Sequence, residues 1–179
     1  RRFYPAGEVA AQLVGLTNVD GQGIAGVELE YNEWLQGTPG KKKYIKDLHG
    51  DVERDIGVLQ PAQSGKDMKL SIDLRVQYAQ QRELQRQVTA LHAASGSAVT
   101  LDVRTGEVLA MVNYPVYNPN AQKAGNPEAM RNRAITDMYE PGSTMKSFTM
   151  VAALESGKFT PDTMIDTSPG RIRIGPKVY

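Results

Sequence analysis

Apolar residues recur at helical spacing in four stretches of the chain and at strand spacing in four others. Residues 8–16 place Val9, Leu13 and Leu16 on one helical face, and residues 27–35 read as a second helix stopped by Gly37 and Pro39. Between Lys42 and Ile56, the apolar Tyr44, Leu48, Val52 and Ile56 sit among charges around His49-Gly50-Asp51, which predicts an exposed hairpin. Asp73 is placed to cap a long helix reaching about His92, with Leu74, Tyr78, Leu84, Val88 and Leu91 as its apolar stripe. Arg75, Arg82 and Arg86 fall on the other side and read as a solvated basic face. Residues 97–103 and 107–113 are β-rich runs joined by Arg104-Thr105-Gly106, a hairpin pattern. A long Pro- and Asn-rich connection, 114–140, holds a short helix near 127–132. Pro141-Gly142-Ser143 then opens a helix through Phe148, Val151, Ala152 and Leu154 to Gly157, and residues 171–174 alternate like a strand.

This mixture predicts an α+β fold. Residues 60–65, Gln-Pro-Ala-Gln-Ser-Gly, read as a linker, which divides the chain into 1–66 and 67–179. The chain opens Arg1-Arg2-Phe3-Tyr4-Pro5, with no initiator Met and no signal-peptide pattern, so its true start is expected upstream or removed by processing.

Composition narrows the function classes. With 40% hydrophobic and 23% charged residues the 179-residue chain can bury a core. A net charge of +1 gives no strong pull toward nucleic acid or an anionic membrane, and no run of 18 apolar residues spans a bilayer. Cysteine is absent, which removes disulfides, thiolate zinc sites and cysteine nucleophiles. His49 and His92 lie far apart in no metal-like pattern, so a metal enzyme is not expected.

Two motifs bear on chemistry. Gly21-x-Gly23-x-x-Gly26 has dinucleotide-binding spacing, but that reading needs a buried strand before the first glycine, and Val9 to Leu16 has helical spacing instead. A flexible loop is expected there. Ser143-Thr144-Met145-Lys146 is an S-x-x-K tetrad. With 8 serines and 10 lysines, composition alone supplies roughly 0.45 such spacings per chain, so the tetrad is weak by itself. Its position strengthens it: three residues are nearly one helical turn, which puts the Ser143 hydroxyl and the Lys146 amine on one face, at the positive end of an apolar helix. A serine attacks well only when a base takes its proton. A lysine can be that base only when neutral, and lowering an ammonium pKa from ~10.4 to about 7 costs about 4–5 kcal/mol. The alternative at this point is a helix-capping serine followed by a solvated lysine.

Read more widely, the chain resembles the class B penicillin-binding proteins. Arg2-Phe-Tyr-Pro-Ala-Gly7, Asp20-Gly-x-Gly-x-x-Gly-x-Glu28 and Trp34-Leu-x-Gly37 resemble their pedestal module. Leu70-Ser-Ile-Asp-Leu74 resembles the opening of their transpeptidase domain. Thr100-Leu-Asp-Val-Arg-Thr-Gly-Glu-Val-Leu-Ala-Met111, Tyr117-Asn-Pro119, Asn132-Arg-Ala134 and Glu140-Pro-Gly-Ser-Thr-Met-Lys146 follow in the family's order. The subtype is most similar to the septal, cell-division member of Gram-negative bacteria.

The resemblance implies an incomplete transpeptidase domain of the serine β-lactamase-like α+β fold, preceded by part of a pedestal or dimerisation module, with residues 97–113 supplying the first two strands of a five-stranded sheet. It implies Ser143 as the nucleophile toward the D-Ala-D-Ala end of peptidoglycan stem peptides, Lys146 as its base, and covalent inhibition by β-lactams. It implies no cofactor or metal. It also implies a periplasmic location, a membrane anchor upstream, and the lipid-linked strand polymerase and division proteins as partners, with no nucleic acid. The family completes its site with S-x-N and K-[ST]-G. Neither occurs here, so the chain is expected to stop before them and not to be competent alone. A D,D-carboxypeptidase, a serine β-lactamase and a non-catalytic interaction module are the alternatives, the first two weakened by the pedestal-like first third.

Overall fold

The computed structural model describes residues 2–46, 48–49, 51–121 and 126–179. Arg1, Gly50 of the expected hairpin turn, and residues 122–125 of the long connection lie outside the described residues. The chain forms two compact units, Arg1–Asp137 and Met138–Tyr179.

The first unit begins with a 3-10 turn, Gly7–Ala10, that runs into the short helix α1, Ala11–Val14. Gly15 ends it at φ +81°, and a Cβ there would stand 1.8 Å from the Ala25 carbonyl oxygen. Only glycine permits that backbone approach. The single helix expected over 27–35 is two, α2 (Gly26–Glu30) and α3 (Asn32–Leu35), because Tyr31 leaves helical geometry at φ −109°, ψ 27°. The glycine motif serves packing. Thr17 bridges Gly23 across the loop, and a Cβ on Gly23 would lie 1.8 Å from the Glu28 carbonyl oxygen. No strand enters this turn, so the dinucleotide reading fails on its structural requirement.

Strands β1 (Lys41–Lys46) and β2 (Val52–Gln60) pair antiparallel as the expected exposed ribbon, with register shifts along it. The segment expected as a linker is packed rather than free. Thr38 and Gln63 exchange backbone hydrogen bonds of 2.9 and 3.0 Å. The Trp34 indole N–H donates to the Asp67 carbonyl at 3.1 Å, and the Lys66 ammonium lies 4.1 Å from the Trp34 ring centre.

Helix α4, Leu74–Ala90, begins where expected. The Asp73 carboxylate accepts from the Arg75 backbone N–H at 2.8 Å, and the Arg75 guanidinium beside it holds that carboxyl well below its ordinary value. The helix ends in a Schellman motif: the Ala93 N–H reaches the Val88 carbonyl at 3.0 Å and the His92 N–H reaches Thr89 at 3.2 Å. His92 occupies the left-handed position, at φ +51°, usually filled by glycine. Strands β3 (Gly96–Leu101) and β4 (Val108–Tyr114) form the predicted antiparallel hairpin, and α4 packs across it. Ala110 and Val112 of β4 are fully buried. Gly96 admits α4, since a Cβ there would lie 2.8 Å from Val88 Cγ2.

The expected apolar stripe of α4 needs correction. Of its members Val88 is buried and Leu84 half-buried, but Leu74, Tyr78 and Leu91 are exposed, and Gln77 and Gln81 are buried. The period is helical, but the inward face carries amides. Gln77 explains why: its Nε2 donates to the Val9 and Met111 carbonyls at 2.8 and 2.9 Å, and its Oε1 accepts from the Met111 N–H at 2.8 Å. The side chain satisfies the outward backbone edge of β4 as a neighbouring strand would, and it fastens the N-terminal turn to that edge. The predicted basic face is solvated, with Arg75, Arg82 and Arg86 paired to Asp73 and Glu83.

Other polar groups extend the same seam. Gln12 Nε2 donates to the Pro115 and Ala129 carbonyls, both at 2.9 Å. The Tyr117 hydroxyl donates to the Ala11 carbonyl at 3.0 Å, and burial pushes its pKa up to about 12. Asn120 pairs with the backbone N–H and C=O of Tyr4 at 2.9 and 2.8 Å. The long connection holds two short helices where one was expected, α5 (Pro127–Met130) and α6 (Arg133–Thr136).

The second unit carries a 3-10 turn, Gly142–Thr144, then α7 (Met145–Glu155), which Gly157 closes at φ +67°. The strand expected at 171–174 is one arm of a minimal hairpin, β5 (Arg173–Ile174) with β6 (Lys177–Val178). Among the described residues, no helix is long and apolar enough to cross a membrane.

Replacing Gln77 by Leu would leave three buried backbone groups without partners, each costing roughly 1–3 kcal/mol. We expect Gln77→Leu to lower unfolding free energy by at least about 3 kcal/mol in chemical denaturation. His92→Gly should instead raise it by about 0.5–1 kcal/mol, by relieving the left-handed strain; a loss of stability would contradict that assignment.

Candidate active site

Ser143 and Lys146 lie where backbone chemistry makes a sharp entry into a helix. Pro141 sits at φ −72°, Gly142 turns left-handed at φ +58°, and Thr144 already has helical angles of −59° and −32°. A Cβ on Gly142 would meet nothing within 4 Å, so glycine is required there by conformation and not by crowding. Ser143 therefore stands inside the 3-10 turn, two residues before α7 begins, and Lys146 is the second residue of that helix. The three-residue spacing places both on the first turn. The Met145 N–H bonds back to the Gly142 carbonyl, while the Ser143 N–H finds no acceptor among the described residues. That leaves a serine hydroxyl and its own backbone donor at the positive end of an 11-residue helix.

The two side chains are exposed, and neither makes a hydrogen bond among the described residues. The apolar residues Phe148, Val151 and Leu154 of α7 are exposed as well. The arrangement can present a nucleophile and an amine together on a helix start. Among the described residues no three His, Cys, Asp or Glu side chains converge as a metal site would require.

Within the first unit, sequence reasoning missed a polar network that ends at Asp137. Asn113 is buried at the end of β4. Its Oδ1 accepts from the Ser97 hydroxyl at 2.8 Å and from the Ala134 backbone N–H at 2.7 Å. Its Nδ2 donates to Asn132 Oδ1 at 2.9 Å. Asn132, the residue before α6, contributes no cap to its own helix; Asn113 caps it from the sheet. The Arg133 guanidinium spans two carboxylates, Glu128 and Asp137, at 2.8 Å each, and Arg131 pairs with the same two. The Arg133 guanidinium, and Arg131 behind it, hold the Asp137 carboxyl below its ordinary value. The motif Asn132-Arg-Ala134 was visible in the sequence, but a single buried asparagine in an apolar strand leaves no periodic signal.

Comparison with known proteins matches two domains in order along the chain. Residues 1–70 match the penicillin-binding protein dimerisation domain, and residues 96–178 match the penicillin-binding protein transpeptidase domain. The peptidoglycan D,D-transpeptidase FtsI of Escherichia coli K12 is 49% identical over 172 residues, covering 96% of this chain and 29% of that protein. Among solved structures, a peptidoglycan synthetase from Bifidobacterium adolescentis superposes with a TM-score of 0.77 at 29% identity, covering 100% of this chain and 32% of that one. Penicillin Binding Protein 2X from Streptococcus thermophilus superposes with a TM-score of 0.71 at 27% identity, covering 96% of this chain and 27% of that one. The chain spans about 30% of the length of the curated relatives it matches.

The depressed Asp137 carboxyl fixes the sign of one pH dependence. A group whose folded pKa lies below its ordinary 3.8 stabilises fully above that value and loses its contribution as pH falls through the folded pKa. Amide hydrogen exchange at Ile135, Thr136 and Asp137 should therefore be slow at neutral pH and lose protection below about pH 4. Asp137→Asn should remove the acid step; an unchanged step would show that the ion pairs do not hold α6.

Proposed function

The chain belongs to the class B penicillin-binding proteins, and from that premise we propose that it is a section of a peptidoglycan D,D-transpeptidase, with Ser143 as the acylated nucleophile and Lys146 as its base. The observation that carries the proposal is the S-x-x-K tetrad, set on a left-handed glycine turn into a helix, within the stretch that matches the transpeptidase domain.

In acylation, Ser143 Oγ attacks the carbonyl between two terminal D-alanines while neutral Lys146 takes the hydroxyl proton. The bond to the last D-alanine breaks, that residue leaves with a proton on its amine, and a serine ester remains. The Ser143 backbone N–H is placed to face the oxyanion that forms on the way. An amine of a second stem peptide then attacks the ester, restores the serine hydroxyl and forms the cross-link. A β-lactam acylates the same oxygen by ring opening.

We assign residues 1–66 to the pedestal module and 67–179 to the N-terminal portion of the transpeptidase domain. The dimerisation match over 1–70 supports the first assignment and the transpeptidase match over 96–178 the second. The S-x-N and K-[ST]-G elements belong to the remainder of the whole protein, where a cation that keeps Lys146 neutral would be found. The whole protein would work in septal wall synthesis, on the periplasmic face of the inner membrane, held by an anchor. It would act beside a lipid-linked strand polymerase and division proteins.

The test is intact mass of the whole protein with benzylpenicillin. A stable adduct of one penicillin is expected, absent in Ser143→Ala, and Lys146→Arg should slow its formation at least about 100-fold, because a guanidinium cannot take the proton. An adduct that persists in Ser143→Ala would overturn the assignment, and rapid hydrolysis of the adduct would point to a β-lactamase instead.

A further inference from the structure

The residue before Ser143 interrupts a right-handed run. Pro141, Thr144 and Met145 all have right-handed helical angles, yet Gly142 in their midst stands at φ +58°. Were residue 142 right-handed as well, the helix could start at Pro141, the residue type favoured at a first helical position. Ser143 would then be the third helical residue, with Glu140 as the cap. The N–H of a third helical residue is a group that the cap side chain claims, so the Glu140 carboxylate would compete for the Ser143 N–H. The left-handed step breaks that register. The Met145 N–H bonds to the Gly142 carbonyl, and the Ser143 N–H has no acceptor among the described residues.

Residue type alone holds this conformation. Residues 141 to 144 are exposed, and a Cβ on Gly142 meets nothing within 4 Å among the described residues. Gly15 in the first unit differs, because there a Cβ would stand 1.8 Å from the Ala25 carbonyl oxygen and crowding selects glycine. At position 142 an alanine would fit the space and fail on its angles, since an L side chain disfavours the left-handed region by about 5- to 30-fold. Asparagine tolerates those angles better than alanine does.

We propose that Gly142 is a positioning residue for acylation: its left-handed angles keep the Ser143 N–H unclaimed until an oxyanion forms. This rests on the assignment of Ser143 above. As the bond from Ser143 Oγ to the carbonyl carbon forms, the carbonyl π pair moves to its oxygen and the hydroxyl proton passes to Lys146. The unclaimed N–H then donates to that oxygen, a bond stronger in the transition state than in the first complex. Gly142 thus acts through its neighbour's N–H and not by contact with substrate.

The experiment treats the whole protein with a fluorescent penicillin and measures the acylation rate constant, the prior dissociation constant and the melting temperature. Wild type acylated and Ser143→Ala silent would secure the reading on which the proposal rests; an unlabelled wild type would overturn both together. With that control in place, Gly142→Ala should acylate about 5- to 30-fold more slowly, with the dissociation constant within about twofold. Gly142→Asn should recover most of the rate. A phenylboronic acid, whose tetrahedral serine adduct is anionic, should lose affinity for Gly142→Ala in parallel with the rate, and an undiminished affinity would overturn the proposal. If Gly142→Ala melts earlier but acylates at the wild-type rate, or if Gly142→Asn is no faster than Gly142→Ala, the glycine serves folding only and the proposal fails. Should Gly142→Ala not fold, Gly142→Ser takes its place: Gly142→Asn should acylate faster than Gly142→Ser, and equal rates in the two would overturn the proposal.

Discussion

A buried carboxamide on α4 is the joint on which the first unit depends. Gln77 meets the N–H and C=O of Met111 with its own C=O and N–H, and its second donor reaches the Val9 carbonyl. β4 has a paired neighbour on one side only, so its other edge would otherwise leave polar backbone buried against the helix. One side chain solves that problem and at the same time docks the N-terminal turn. Gln12, Asn120 and Tyr117 repeat the solution nearby, each joining residues more than 100 apart in the chain. The part of the chain matched as dimerisation domain and the part matched as transpeptidase domain are therefore stitched by amide-to-backbone bonds more than by apolar burial. The cluster of Ala11, Tyr117 and Ala129 that lies between them is small.

Such bonds are directional. A sliding apolar contact would tolerate small shifts; a bidentate amide does not. The same device recurs at Asn113, where one amide collects donors from β3 and from the start of α6 while donating to Asn132. Beyond it the control passes to ions, with Arg133 between Glu128 and Asp137. In the second unit the backbone itself does the directing: Gly142 makes the left-handed step that turns the chain into α7.

The family motifs, the hairpin of β3 and β4, the start of α4 at Asp73 and the helix after Ser143 were all legible in the residues. Each is a local matter: an Asp accepting from the next turn, a glycine adopting positive φ, an alternation of period two. Where expectation and structure part, the cause is a contact distant in sequence. The stripe on α4 was assigned to Leu74, Tyr78, Leu84, Val88 and Leu91, and Val88 is buried, yet Leu74, Tyr78 and Leu91 are exposed and Gln77 is buried in their stead, because the surface it meets is backbone edge rather than apolar side chains. The segment 60–65 read as a linker from its composition, yet Gly65 packs so closely on Leu35 that a Cβ would stand 1.9 Å from its carbonyl oxygen.

The sequence by itself determined the tetrad, its place at the head of an apolar helix, the α+β character and the family, since these depend on residue type and near-neighbour spacing. Only the tertiary structure decided which polar residues are buried and to what they bond. A buried Gln or Asn looks like a surface residue until a backbone group far along the chain comes within about 3 Å of it, and that meeting is set by how the elements pack.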